Sequence, residues 1–121
     1  MPLAGVGLPI WVTEFDVDEE NENTRADEVE KFYKVCFSHP SVEGIIMWGF
    51  WSESAWRWDG LVDINWNLNA AGVRYQELMD EWTTEDSDVT DVDGNVDFRG
   101  FHGTYQVTLS AAGQPDETYY I

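Results

Sequence analysis

At 121 residues and 43% hydrophobic content, the chain has room for one ordinary domain and enough apolar material for a core, but is too short for a closed eight-stranded α/β barrel, which takes roughly 200 residues or more. A net charge of −18, from 24 acidic against six basic residues, argues against nucleic acid and anionic membrane surfaces, since both demand basic patches. The single Cys36 excludes an internal disulfide and gives no metal cluster, and neither a basic-apolar leader nor a membrane-length apolar run is present.

Residues 1–7 read as the end of a helix-to-strand connection, as though the chain starts within a fold. Leu8-Pro-Ile-Trp-Val-Thr-Glu-Phe-Asp16 follows, an apolar run that ends in two carboxylates, Glu14 and Asp16. Its continuous hydrophobic stretch is the pattern of a strand covered on both faces. An acidic loop over 16–23 leads to Thr24 with Asp27 three residues on, a variant capping box that predicts a helix start. Val29, Phe32, Tyr33, Cys36 and Phe37 then recur at the spacing of one helical face, and Ser38-His39-Pro40 ends it. Cys36 reads as a small buried hydrophobe, and His39 and His102 as capping or surface residues.

Gly44-Ile-Ile-Met-Trp-Gly-Phe-Trp51 is a second run of the same type, so the unit reads strand, helix, strand, with both C-terminal ends opening on one side of a parallel sheet. A long loop rich in Trp, Asp and Asn spans about 51–69, of the kind that carries function after parallel strands. Asn69 is placed to cap a second helix with the stripe Ala71, Tyr75, Leu78, Met79 and Trp82.

The expected boundaries are 1–83 for the α/β part, 84–93 for an acidic linker and 94–121 for a small antiparallel β appendage of about three strands, built from Val96 to Phe98, Tyr105 to Leu109 and Tyr119 to Ile121. The linker's Asp86, Asp88, Asp91 and Asp93 fail the calcium-loop pattern, because a glycine at the sixth position puts Val89 first. No metal ligand set is expected.

Glycoside cleavage with retention needs two carboxyl groups about 5 Å apart, one to attack the anomeric carbon and one to exchange protons. Glu14, at the tip of a covered strand among aromatics, suits the attacking role. Glu53, at the tip of the neighbouring strand, is a geometrically conceivable partner. Seven tryptophans are many for a chain of this length, and an indole suits the apolar C–H face of a sugar.

The Thr-Glu14-Phe-Asp16 strand, the Trp48-Gly-Phe-Trp51 strand and Trp56-Arg57 together resemble the last two strand and helix units of glycoside hydrolase family 10, the β-1,4-xylanases. Leu68 to Trp82 looks like that family's closing helix, and Asp93 to Leu109 is similar to the β appendage of its plant and animal members. The resemblance implies an α/β fold that is the C-terminal portion of a TIM (β/α)8 barrel, two parallel strands with two helices, followed by the appendage; in such a barrel Ile10, Val12, Ile45 and Met47 would face the interior.

It further implies a retaining hydrolase acting on xylan or xylo-oligosaccharides, secreted, and with no cofactor. Glu14 would be the nucleophile, Trp48 and Trp56 would wall the subsite of the attacked sugar, and Asp16 and Arg57 would supply supporting hydrogen bonds. Ser52 stands where the family usually has Asp, and the family's acid/base, in an Asn-Glu pair ending the fourth barrel strand, has no counterpart strand here. The isolated chain is therefore expected to be inactive, with the missing barrel half in a longer chain as a partner. The alternative is a non-catalytic remnant that binds carbohydrate through Trp51, Trp56 and Trp58.

Overall fold

The structure, a computed structural model, describes residues 3–55 and 60–121. The chain divides into two compact units, residues 1–81 and 82–121.

In the first unit, β1 (Ile10–Phe15) and β2 (Val42–Met47) pair in parallel and are joined by α1 (Glu22–Ser38). The helix begins earlier than the Thr24 box predicts. The Asn21 carboxamide accepts hydrogen bonds from the amides of Asn23 and Thr24, both at 3.1 Å, and Asn is at least as good a cap as Thr. His39 closes α1 as its C-cap, its amide bonded to the Cys36 carbonyl, and its Nδ1 accepts from the Ser41 amide at 3.2 Å. After the second strand, Asn69 caps α2 (Ala70–Trp82) by accepting from the Gly72 amide at 3.0 Å.

The core lies between the sheet and the two helices. Phe15 stacks on Phe32 with ring centroids 4.2 Å apart and meets Tyr33 edge-on, and Tyr33 in turn meets Tyr75 of α2 edge-on at 5.4 Å. These contacts tie β1 to α1 and α1 to α2, around the buried Ala26, Val29, Cys36, Ala71 and Leu78. Phe37 stands out from the predicted stripe and is 46% exposed. Eight residues past Val29, it lies about 80° round the helix from that fully buried position. Across the helix pair, Arg74 of α2 pairs with Glu30 of α1 and lies 3.8 Å from Asp27.

Burial pushes the Tyr33 phenol up from 10.0 to about 12. The folded state therefore holds this proton more tightly than the unfolded chain does. Stability tied to it is complete below pH 10 and falls as pH rises from 10 towards 12. Tyr33→Phe is expected to flatten that alkaline decline while leaving the neutral-pH melting temperature nearly unchanged, which a pH series of thermal melts checks.

Within the second unit, β3 (Gln106–Leu109) and β4 (Glu117–Tyr120) form an antiparallel hairpin, extended by reciprocal amide bonds between Tyr105 and Ile121 at 2.9 and 3.0 Å. The predicted first strand over Val96 to Phe98 does not form. Its alternation covers only two apolar positions and no ladder partner meets it, so Phe98 packs edge-on against Tyr105 instead. Among the described residues, no helix is long and apolar enough to cross a membrane.

Candidate active site

The site starts from an irregularity in β1. Val12 pairs with Ile45 and Phe15 with Met47, so three steps along β1 match two along β2. One extra residue is accommodated between Val12 and Phe15, a bulge. Phe15 is buried against α1, and its partner Met47 lies on the same side, as do Ile45 and Val12. The expectation that Ile10, Val12, Ile45 and Met47 face the barrel interior is thus reversed: these side chains turn towards the helices and are partly covered. In strict alternation Glu14 would join them. The bulge instead turns both Thr13 and Glu14 to the opposite, open face, where both are exposed.

Trp11 and Ile46 share that open face, exposed at 54% and 50%. Trp11 lies flat across Gly44, where an added Cβ would come 2.5 Å from the indole ring. Trp48 follows β2 directly, is 55% exposed, and donates its amide to the Phe15 carbonyl at 2.9 Å. Alternation places it with Ile46, so the strand ends bring Glu14 and Trp48 together on one rim. Asp16, one residue past β1, is exposed. Trp56 and Arg57 lie outside the described residues, as does Trp58.

What holds this rim was partly hidden from the sequence. Arg25, the buried polar residue of the core at 4% exposure, donates from Nη1 to the Glu19 carbonyl at 2.6 Å and to the Glu20 carbonyl at 3.4 Å. It fastens the loop that follows Glu14 and Asp16. Its position on the α1 face beside Ala26 and Val29 was the available signal. Ser52 donates its hydroxyl to the Val62 carbonyl at 2.6 Å and its amide to the same oxygen at 3.0 Å. Ser52 thus pins the long loop to itself, and Glu53 stays exposed in the turn that follows Trp51.

Further along the loop, Asp63 organises a tight turn. Its Oδ1 accepts from the amides of Asn65 and Asn67 at 2.8 and 2.9 Å, and its carboxylate also meets the Asn67 carboxamide. These bonds, the Asn67 side chain first, hold its carboxyl below the usual carboxylate range. Trp66 occupies the fourth position with φ of 67°, in the left-handed region. That conformation costs a residue with a Cβ on the order of 1–2 kcal/mol. The Trp66 indole stacks on Trp51 at 5.3 Å and 10° and is itself 61% exposed. The Trp51 Nε1 beneath is buried and finds no acceptor among the described residues. No cluster of three metal-ligating side chains occurs among the described residues either.

Comparison with known families decides where this arrangement belongs. The family model described as glycosyl hydrolase family 10 matches residues 1–78. The chain belongs to glycosyl hydrolase family 10. Its first unit is the part of the (β/α)8 barrel that contains the last two strands, with two helices, and a small antiparallel sheet follows. Xylanase 10B from Thermotoga petrophila, solved in complex with xylobiose, superposes with a TM-score of 0.57 at 25% identity over 64% of this chain and 28% of that one.

Among curated relatives, the anti-sigma-I factor RsgI6 of Acetivibrio thermocellus is 48% identical over 98% of this chain and 16% of its own length. Endo-1,4-beta-xylanases 3 and 2 of Arabidopsis thaliana are 41% and 42% identical, again over 98% of this chain, and are covered to 16% and 11%. The family 10 chain therefore spans about a sixth or less of these relatives' lengths.

Proposed function

We propose that this segment supplies the nucleophile half of a retaining glycoside hydrolase that cleaves β-1,4-xylan. The bulge between Val12 and Phe15 carries this reading, because it turns Glu14 off the helix face and onto the open rim beside Trp48. A Glu14 carboxylate oxygen attacks the anomeric carbon, the bond to the leaving oxygen breaks, and the departing alcohol takes a proton from a general acid. Water then hydrolyses the glycosyl ester, with that acid acting as base. Trp48 stacks against the attacked sugar, with Trp56 as the second wall and Arg57 and Asp16 as supporting hydrogen-bond partners.

A neutral polymer suits a protein of charge −18, which repels polyanions. The same function implies action outside the cell, where the polymer is met.

The general acid is the missing group. The Asn21-Glu22 dipeptide opens α1 and does not end a strand, and the Glu22 carboxylate faces the Ala70 amide at 3.5 Å. Residues 1–121 alone should turn over unactivated xylan slower by on the order of 10²- to 10⁴-fold than a chain with an acid in place.

The stereochemistry of hydrolysis by the protein carrying this segment tests the proposal. Proton NMR, read before mutarotation, should show the β-anomer of the new reducing end first; α-anomer first refutes a nucleophilic Glu14. A binding role in place of catalysis draws support from the relative named as an anti-sigma-I factor. It requires that xylan binding persist in a protein that yields neither anomer, and that Trp56→Ala abolish it while Glu14→Gln does not.

A further inference from the structure

Two turns in this chain share one design. Asp63-Ile-Asn-Trp-Asn67 and Asp91-Val-Asp-Gly-Asn95 each place an Asp whose Oδ1 accepts from the amides two and four residues on. In each, the Asp amide donates to the carbonyl four residues on at 2.8 Å, and the amide three residues on returns to the Asp carbonyl at 3.1 Å. The left-handed fourth position is Gly94 in one, with φ of 83°, and Trp66 in the other, with φ of 67°. Glycine fits this position freely, so the turn itself has no need of an indole. A strained residue persists where something other than the local backbone keeps it.

What Trp66 gains is presentation. One face of the ring lies parallel on Trp51, which fixes its tilt, while 61% of the residue stays in solvent. Asn65 and Asn67, its neighbours in sequence, are exposed on the same turn. The Asn65 side chain makes no hydrogen bond among the described residues, and that of Asn67 donates to Asp63. A flat, exposed π-face matches the C–H face of a pyranose, and the turn that carries it also exposes two carboxamide residues of the kind that bond sugar hydroxyls. The acidic surroundings disfavour an anionic partner and leave a neutral glycan unopposed.

We infer that Trp66 is a glycan-stacking position additional to the catalytic motif, taking one sugar ring of a neutral β-1,4-linked polysaccharide. The inference rests on the xylan reading and adds to it a residue that no part of the family motif used above contains.

The test is affinity electrophoresis of the protein in gels with and without soluble arabinoxylan, on the unmodified chain, Trp66→Gly and Trp66→Phe, beside thermal melts and sedimentation of each. Trp66→Gly keeps a residue suited to the backbone and should weaken arabinoxylan retention about tenfold, with Trp66→Phe intermediate, as expected for loss of one ring contact. If the unmodified protein is retained and Trp66→Gly is retained equally, this inference fails and the xylan reading stands. If the unmodified protein is not retained at all, both fail. A drop in melting temperature or a change in oligomeric state with unchanged retention assigns Trp66 to packing or self-association and overturns the proposal.

Discussion

Glu14→Gln is expected to lower xylan hydrolysis by the protein carrying this segment by on the order of 10⁴- to 10⁶-fold in kcat, with little change in KM. Gln preserves the shape and exposure of the side chain at the end of β1, and the bulge that aims it is a backbone feature. What it removes is the negative oxygen that forms the glycosyl ester. Azide separates this role from that of the acid. A small anion entering the space left by Glu14→Ala should restore turnover of an aryl xyloside and give the α-glycosyl azide, since it attacks from the nucleophile's side in one inversion. A β-glycosyl azide would assign Glu14 to proton transfer instead.

Gly72→Ala is expected to destabilise the first unit by about 2 kcal/mol or more, near the upper end of overpacking penalties. Alanine would ordinarily favour a helix over glycine by up to about 1 kcal/mol. Here the added Cβ would fall 2.1 Å from the Leu61 carbonyl oxygen and 3.0 Å from its carbon, and backbone cannot step aside as a side-chain tip can. The clash outweighs the propensity. Leu61 is itself bonded through its amide to the Phe50 carbonyl at 2.6 Å and through its carbonyl to the Asn69 amide at 3.1 Å. Displacing it therefore disturbs the cap of α2 and the ring contacts of Phe50 and Trp51 with Trp66. Denaturant unfolding followed by tryptophan fluorescence measures both effects; an unchanged midpoint would show that the loop is not seated on this helix.

The β-α-β unit and both helices were legible because their apolar spacing is regular and long. The Glu14 strand was legible as a motif, yet the facing of its neighbours was not. Period-two alternation gives one answer for Val12 and Glu14 together, and only the pairing with Ile45 and Met47 shows that an extra residue separates them. A bulge is a property of two strands, so one strand's sequence cannot announce it. The box spacing of Thr24 and Asp27 marks the helix start only to within a few residues, whereas the cap is decided by which side chain reaches the free amides, and that is Asn21. In the sequence Trp66 is one indole among seven. Its meaning depends on a backbone angle, and the Asp91 turn with glycine in the same place is what makes that angle informative.

The most direct measurement of the nucleophile's identity avoids the missing acid altogether. A 2-deoxy-2-fluoro-xylobioside with a dinitrophenolate leaving group departs without protonation, while the fluorine slows hydrolysis of the ester that forms. Incubation with the protein, digestion and mass spectrometry should find the fluorinated sugar attached to the peptide containing Glu14, and Glu14→Gln should abolish it. A label on any other carboxylate, Glu53 included, or no label at all, would contradict the account.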